Sequence, residues 1–114
     1  SVFSKEEAVK IQTYFNDRMK IVTENLPEKF AAQVKDTQKR ITILSNHLKK
    51  RDLIKSREVI TKLLGILDAL DQNIFDEAKK LQSEIASDYP EEAGKWLTGV
   101  KRFIGFAEVY ESKK

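Results

Sequence analysis

His47 is the only imidazole in the chain, and no cysteine stands anywhere in it. The histidine falls between Leu44 and Leu48, at the edge of an apolar stripe. That position reads as a boundary histidine of a helical core; a pH-sensitive contact is the sharper alternative. A zinc site needs several His or Cys ligands, more than this sequence supplies. Glu91 and Glu92 are adjacent carboxylates, but neighbours on a helix point apart, so they read as charge at a helix N-terminus. Gly94, Gly99 and Gly105 are too widely spaced for a phosphate-cradling loop. No acid-base pair, activated nucleophile or metal cluster emerges, so the expectation is a protein that is not an enzyme and carries no cofactor and no metal.

Charge offers more. Between Lys39 and Arg57 stand seven basic residues, Lys39, Arg40, Lys49, Lys50, Arg51, Lys55 and Arg57, against the single acid Asp52. Between Asp76 and Glu92 there are six acids against Lys79 and Lys80. Such blocks are commonly a solvated surface. They also suit two oppositely charged contact faces that steer assembly. Phosphate binding would want a cluster like the basic one, as would an anionic membrane surface. Exposed aromatics to stack single-stranded bases are missing beside it, because Phe15, Phe30, Phe75, Trp96 and Phe103 fall on core stripes. A protein partner with an acidic patch is at least as plausible a ligand, and nucleic acid is disfavoured.

The elements that must position these residues are helices. The chain has 114 residues, only four glycines and two prolines, and is rich in helix formers; that argues one all-α domain. No apolar run reaches the ~18 residues of a membrane span, and no secretory signal pattern opens the chain. Ser1 in place of methionine reads as a domain cut from a longer protein. The lack of cysteine is compatible with a reducing compartment.

Ser4-Lys5-Glu6-Glu7 has the form of a capping box. The first helix then runs to about Glu24 with Ala8, Ile11, Phe15, Met19, Val22 and Leu26 inward. Pro27 stops it and suits the first turn of the second. That helix sets Phe30, Val34, Ile41, Leu44 and Leu48 on one face, with Thr37 a polar gap, and closes at Lys49-Lys50-Arg51, where cations meet the negative end of the helix dipole. Ser56 is expected to cap the third helix, whose face of Val59, Ile60, Leu63, Leu64, Leu67 and Leu70 is the broadest. Asp71-Gln72-Asn73 makes a turn. The fourth helix carries Ile74 or Phe75, Ala78, Leu81 and Ile85 and ends at Asp88-Tyr89-Pro90. One last helix is expected from Glu91 to about Glu111. The predicted product is a compact five-helix bundle over residues 4–111, with 1–3 and 112–114 frayed and sequential helices antiparallel. Tyr14, Ile21, Ile43, Phe106 and Val109 lie off the main stripes; Phe106, Val109 and Tyr110 would form an apolar patch if exposed together.

Within the last helix, Trp96, Val100, Phe103 and Ala107 share a face, with Lys101 and Arg102 projecting from the other side. Gly99 should cost about 1 kcal/mol against Ala there, which points to a close helix crossing.

The string Trp96-Leu97-Thr98-Gly99-Val100-Lys101-Arg102-Phe103-Ile104 resembles a small family of helical bundles. The family joins the C-terminal domain of the large, rod-forming subunit of the COPII outer coat to that of the steroid receptor RNA activator protein. Lys39-Arg40-Ile41-x-Ile43-Leu44-x-x-His47-Leu48 looks like its second helix, and Phe75-Asp76-Glu77-Ala78-x-x-Leu81-Gln82 like its fourth; together they cover about residues 28–108. The ending Ile104-Gly105-Phe106-Ala107-Glu108 looks more like the coat subunit. That resemblance implies the same bundle fold and a cytosolic role, peripheral on the endoplasmic reticulum and its coated vesicles, with other COPII coat subunits as partners. An RNA-associated nuclear receptor coactivator is the alternative, and a splicing-factor-like bundle rests on fold analogy alone. Lys39, Arg40, Lys49, Lys50, Arg51, Lys55, Arg57, Lys101 and Arg102 form the candidate docking surface from their charge. Trp96, Gly99, Val100 and Phe103 are read as packing residues.

Overall fold

Helix α1 begins where the sequence asks it to. In the computed structural model, which describes residues 1–114, the Ser4 hydroxyl accepts from the Glu7 N–H at 3.1 Å and the Glu7 carboxylate accepts from the Ser4 N–H at 2.9 Å. This reciprocal cap satisfies two of the donors a helix start leaves unpaired. The order is then α1 Lys5–Asn25, a 3-10 turn Glu28–Phe30, α2 Ala31–Lys50, α3 Arg57–Asp71, α4 Phe75–Asp88, the short α5 Pro90–Ala93, and α6 Leu97–Ser112. There is no strand, so the chain is all-α.

Consecutive long helices are antiparallel, as short connections require. The ion pairs give the directions. Lys62–Glu84 joins the start of α3 to the end of α4, and Lys79–Glu108 joins the start of α4 to the end of α6. Arg40 of α2 lies against Gly99 of α6, and Phe30, just before α2, packs edge-on against Phe106 further along α6. One continuous core fills the middle, with Ile11, Phe15, Leu44, Ile60, Leu63, Ile85, Trp96 and Phe103 fully buried. Phe15, Tyr14 and Phe103 meet edge to face, with centroids 5.2–6.4 Å apart, a geometry favoured by ring quadrupoles.

The expected last helix is two pieces. α5 stops at Ala93, and Gly94-Lys95-Trp96 turns the chain before α6 starts. Trp96 has φ −123° and ψ −17°, off the helical basin. The break is what brings the indole fully inside, and the Trp96 carbonyl still receives the Gly99 N–H at 2.9 Å. Pro27 likewise stands one step earlier than expected. It heads the 3-10 turn, accepting from Phe30 N–H at 3.0 Å, and α2 proper opens at Ala31. The polar gap at Thr37 is closed internally: its side chain is wholly buried and donates to Gln33 O at 2.8 Å.

Ser56 does not cap α3 with its side chain. Its hydroxyl donates instead to the Glu92 carboxylate, which also accepts from the N–H groups of Lys55 and Ser56 at 2.6 and 3.0 Å. Glu92 is therefore a clamp tying α5 to the entry of α3, more than N-terminal charge. Burial pushes its acidity toward the neutral form, and these hydrogen bonds outweigh it, holding the carboxyl below its ordinary range.

Residues 1–3, expected to fray, make contacts with the bundle. Phe3 is buried, the Arg51 guanidinium lies over its ring at 5.2 Å and bonds its carbonyl, and Arg57 donates to Val2 O at 3.0 Å. The conditional apolar patch near the C-terminus does not open: Phe106 is buried and Val109 and Tyr110 are half-buried. Of the off-stripe residues, Ile21 is the exposed one.

Candidate docking surface on the α2 end of the bundle

The nine basic residues singled out by charge separate into three groups. The four arginines are internal ties. Arg40 Nε donates to Asp36 at 3.1 Å and its Nη1 to the Lys95 carbonyl at 3.2 Å. Arg102 reaches the same Asp36 carboxylate from α6. Arg51 holds Ser1 and Phe3. Arg57 grips Glu7 through two bonds of 2.7 Å each. Planar forks of this kind suit bidentate carboxylate capture.

Lys101 forms the second group alone. It is exposed, but it lies two residues from Gly99, about 200° around α6, while Gly99 faces α2. It is turned away from the α2 lysines.

Lys39, Lys49, Lys50 and Lys55 are the third group. All four are exposed and none makes an ion pair. Lys39 and Lys50 stand eleven residues apart on α2, about three turns and so on one side. Lys49 and Lys50 sit in the last turn, where the helix dipole favours cations. Arg51 follows with φ 65°, and its N–H closes the helix on His47 O at 3.2 Å. A left-handed Arg costs strain that Gly would not, and its contacts to Phe3 hold it there.

His47 is half-buried, as its boundary position suggested. Burial, then the charges of Lys95 and Lys50, lower its pKa below the ordinary 6.5, favouring the neutral imidazole. Lys95 is the residue that charge counting along the sequence missed. It is exposed, and it arrives beside α2 only because the chain turns between α5 and α6. Asp36 was also overlooked, although its i,i+4 spacing to Arg40 was visible. The hydrogen bond from Arg40, helped by Arg102, lowers the Asp36 pKa.

The net result is a ridge of free ammonium groups, Lys39, Lys49, Lys50 and Lys55 with Lys95, on a rigid helical frame. Long, mobile, hydrated amines on such a frame suit contact with carboxylates at moderate affinity.

Comparison with known proteins agrees with the resemblance carried by the tryptophan-containing string. Protein transport protein sec31 of Neurospora crassa is 41% identical over 103 residues, which is 90% of this chain and 8% of that protein. The Sec31 proteins of Eremothecium gossypii and Saccharomyces cerevisiae are 39% and 36% identical over 99 and 98 residues, 87% and 86% of this chain and 8% of each relative. This chain belongs to the Sec31 family. It spans about 8% of the length of the Sec31 relatives it matches. No family model matches it, and no solved structure matches it. No helix in this Sec31-type domain is long and apolar enough to cross a membrane.

One consequence of the internal ties concerns acid. The hydrogen bond from Arg57, followed by that from the Ser4 N–H, lowers the Glu7 pKa from 4.5 to about 2. A depressed carboxyl stabilises the fold above the unfolded value and loses that contribution as pH falls through the folded one. The thermal stability gap between the native chain and Glu7→Gln should therefore be full above pH ~5 and shrink between about 4.5 and 2. Melting curves across that range test it; a gap constant down to pH ~2 would show that the Arg57 contact is not electrostatically coupled.

Proposed function

We propose that this domain is a non-catalytic protein-interaction module of the COPII outer coat, stabilising coat assembly during vesicle formation between the endoplasmic reticulum and the Golgi. Family membership supports the coat role, and the observation that carries the interaction role is the row of unpaired lysines on α2 and beside it. The partner is another coat subunit presenting an acidic surface. The domain acts on the cytosolic side and reaches the membrane only through the coat. Each contact is weak and salt-sensitive because exposed charges are screened over about 8 Å at physiological ionic strength. Tethering within a long coat subunit raises the effective concentration, so many weak contacts hold a coat that must later come apart.

The test is charge reversal that spares the internal ties. Arg51 stays untouched because it holds Phe3. Lys49→Glu, Lys50→Glu and Lys95→Glu together should reduce recruitment of the domain to assembling coats by about tenfold or more, on the order of 1.4 kcal/mol. The far-ultraviolet circular dichroism should be unchanged. A folded triple variant recruited as well as the native chain would remove this surface from consideration.

A further inference from the structure

Helices α1 and α3 lie side by side and run parallel, because α2 turns the chain round between them. Glu7–Arg57 joins their first turns and Arg18–Asp71 joins them further on. Along their outer side a groove opens, with Tyr14 and Leu67 in its lining and Val9 on its rim. Val9 is 50% exposed, the most open of the large apolar residues. The floor is rigid: Tyr14 is pinned edge-on by Phe15 and Phe103, and the Arg18 guanidinium covers its ring at 5.3 Å. Lys5 and Lys10, with Glu6 between them, give one end of the groove a net positive charge; Asp17 and Asp71, the latter paired with Arg18, give the other end a net negative one. Lys5, Lys10 and Asp17 make no ion pair.

We infer that this groove is a second docking site, separate from the lysine ridge, and that it takes an amphipathic helix of a partner protein running antiparallel to α1. Three features select that occupant. Two parallel neighbours leave a seam into which a third, oppositely directed helix packs, the arrangement of up-and-down bundles. The acidic end of the groove receives the positive N-terminus of such a helix and the lysine end its negative C-terminus. Side-chain charges reinforce this order: basic residues in the first half of the incoming helix, acidic ones in the second. From Lys5 to Asp17 the groove is about 18 Å long, or roughly three turns of helix. A second copy of this chain does not supply the ligand. Within the chain, α3 and α6 have that charge order, and both keep their apolar faces in their own core.

The probe is a capped synthetic helix of about 14 residues, with leucines at i, i+3, i+7 and i+10, lysines in the first half and glutamates in the second. Its twin has the charges exchanged; the twin is the better helix in isolation, since its charges suit its own dipole. Titrated into the isotopically labelled chain, the first peptide should shift the resonances of Val9, Tyr14 and Leu67 and bind about tenfold more tightly than the twin. Val9→Lys should weaken that binding by about tenfold, as loss of an apolar anchor does, with helicity unchanged. Equal binding of the two peptides, or no shift at those residues up to millimolar peptide, would overturn the inference. So would dimerisation in sedimentation that Val9→Lys abolishes, because the occupant would then be a second copy.

Discussion

Replacing Trp96 by Ala should destabilise the domain by about 3–5 kcal/mol, the cost of large core truncations. The side chain is fully buried and heads the set of largest buried residues. It also fixes the turn between α5 and α6, so its removal takes support from the Glu92 clamp on one side and the α2 crossing on the other. A domain of this size loses roughly 4–8 °C of melting temperature per kcal/mol, so calorimetry should show a fall well above 10 °C. Trp96→Phe should cost less than Trp96→Ala. It keeps much of the packing, and the indole N–H it removes bonds no other group of the protein, so no hydrogen bond within the protein is lost with it. A near-neutral Trp96→Ala would contradict the packing described here and place the indole at a binding surface.

The second large effect comes from Gly99. A Cβ built there would stand 2.6 Å from Arg40 Cβ, with the Arg40 carbonyl carbon and the Ile41 nitrogen at 3.4 Å behind it. Backbone cannot give way as a flexible side-chain end can. Gly99→Ala gains about 1 kcal/mol of helix propensity, but it must push α6 off α2, and overpacking of this kind costs about 1–3 kcal/mol. The net change should be destabilising, and Gly99→Val should be worse. Gly105 in the same helix is the control: a Cβ there meets nothing within 4 Å. Gly105→Ala should raise stability by about 0.5–1 kcal/mol. Opposite signs for the two alanines in denaturant titrations would establish the crossing; two stabilising alanines would refute it.

The same comparison shows what the sequence carried. Gly99 was legible because a glycine in a helical pattern implies close approach, and Ser4 because a capping box is local chemistry. The helix-forming periodicity of α1 to α4 was likewise local. The turn at Gly94-Lys95-Trp96 was not: the residues on both sides are good helix formers, and the break follows from burying the indole. Glu92 reads as N-terminal charge along the sequence because its partners at Lys55 and Ser56 lie more than thirty residues away. The basic cluster was legible as charge but not as function. Arginines and lysines count alike along a sequence, and only the fold shows Arg40, Arg51, Arg57 and Arg102 tied to carboxylates and carbonyls of the chain itself. Lys95 joins the ridge through the very turn that periodicity hid.

The central claim is that this domain works by docking onto protein, through charge, within the coat. It is tested most directly by immobilising the 114-residue chain and exposing it to cytosol at low and moderate salt, with and without nuclease. The expected result is recovery of inner- or outer-coat subunits at low salt, unchanged by nuclease and much reduced at moderate salt, as screening of exposed lysines requires. Recovery of RNA or nuclear regulators that nuclease removes, with no coat subunit retained, would contradict it.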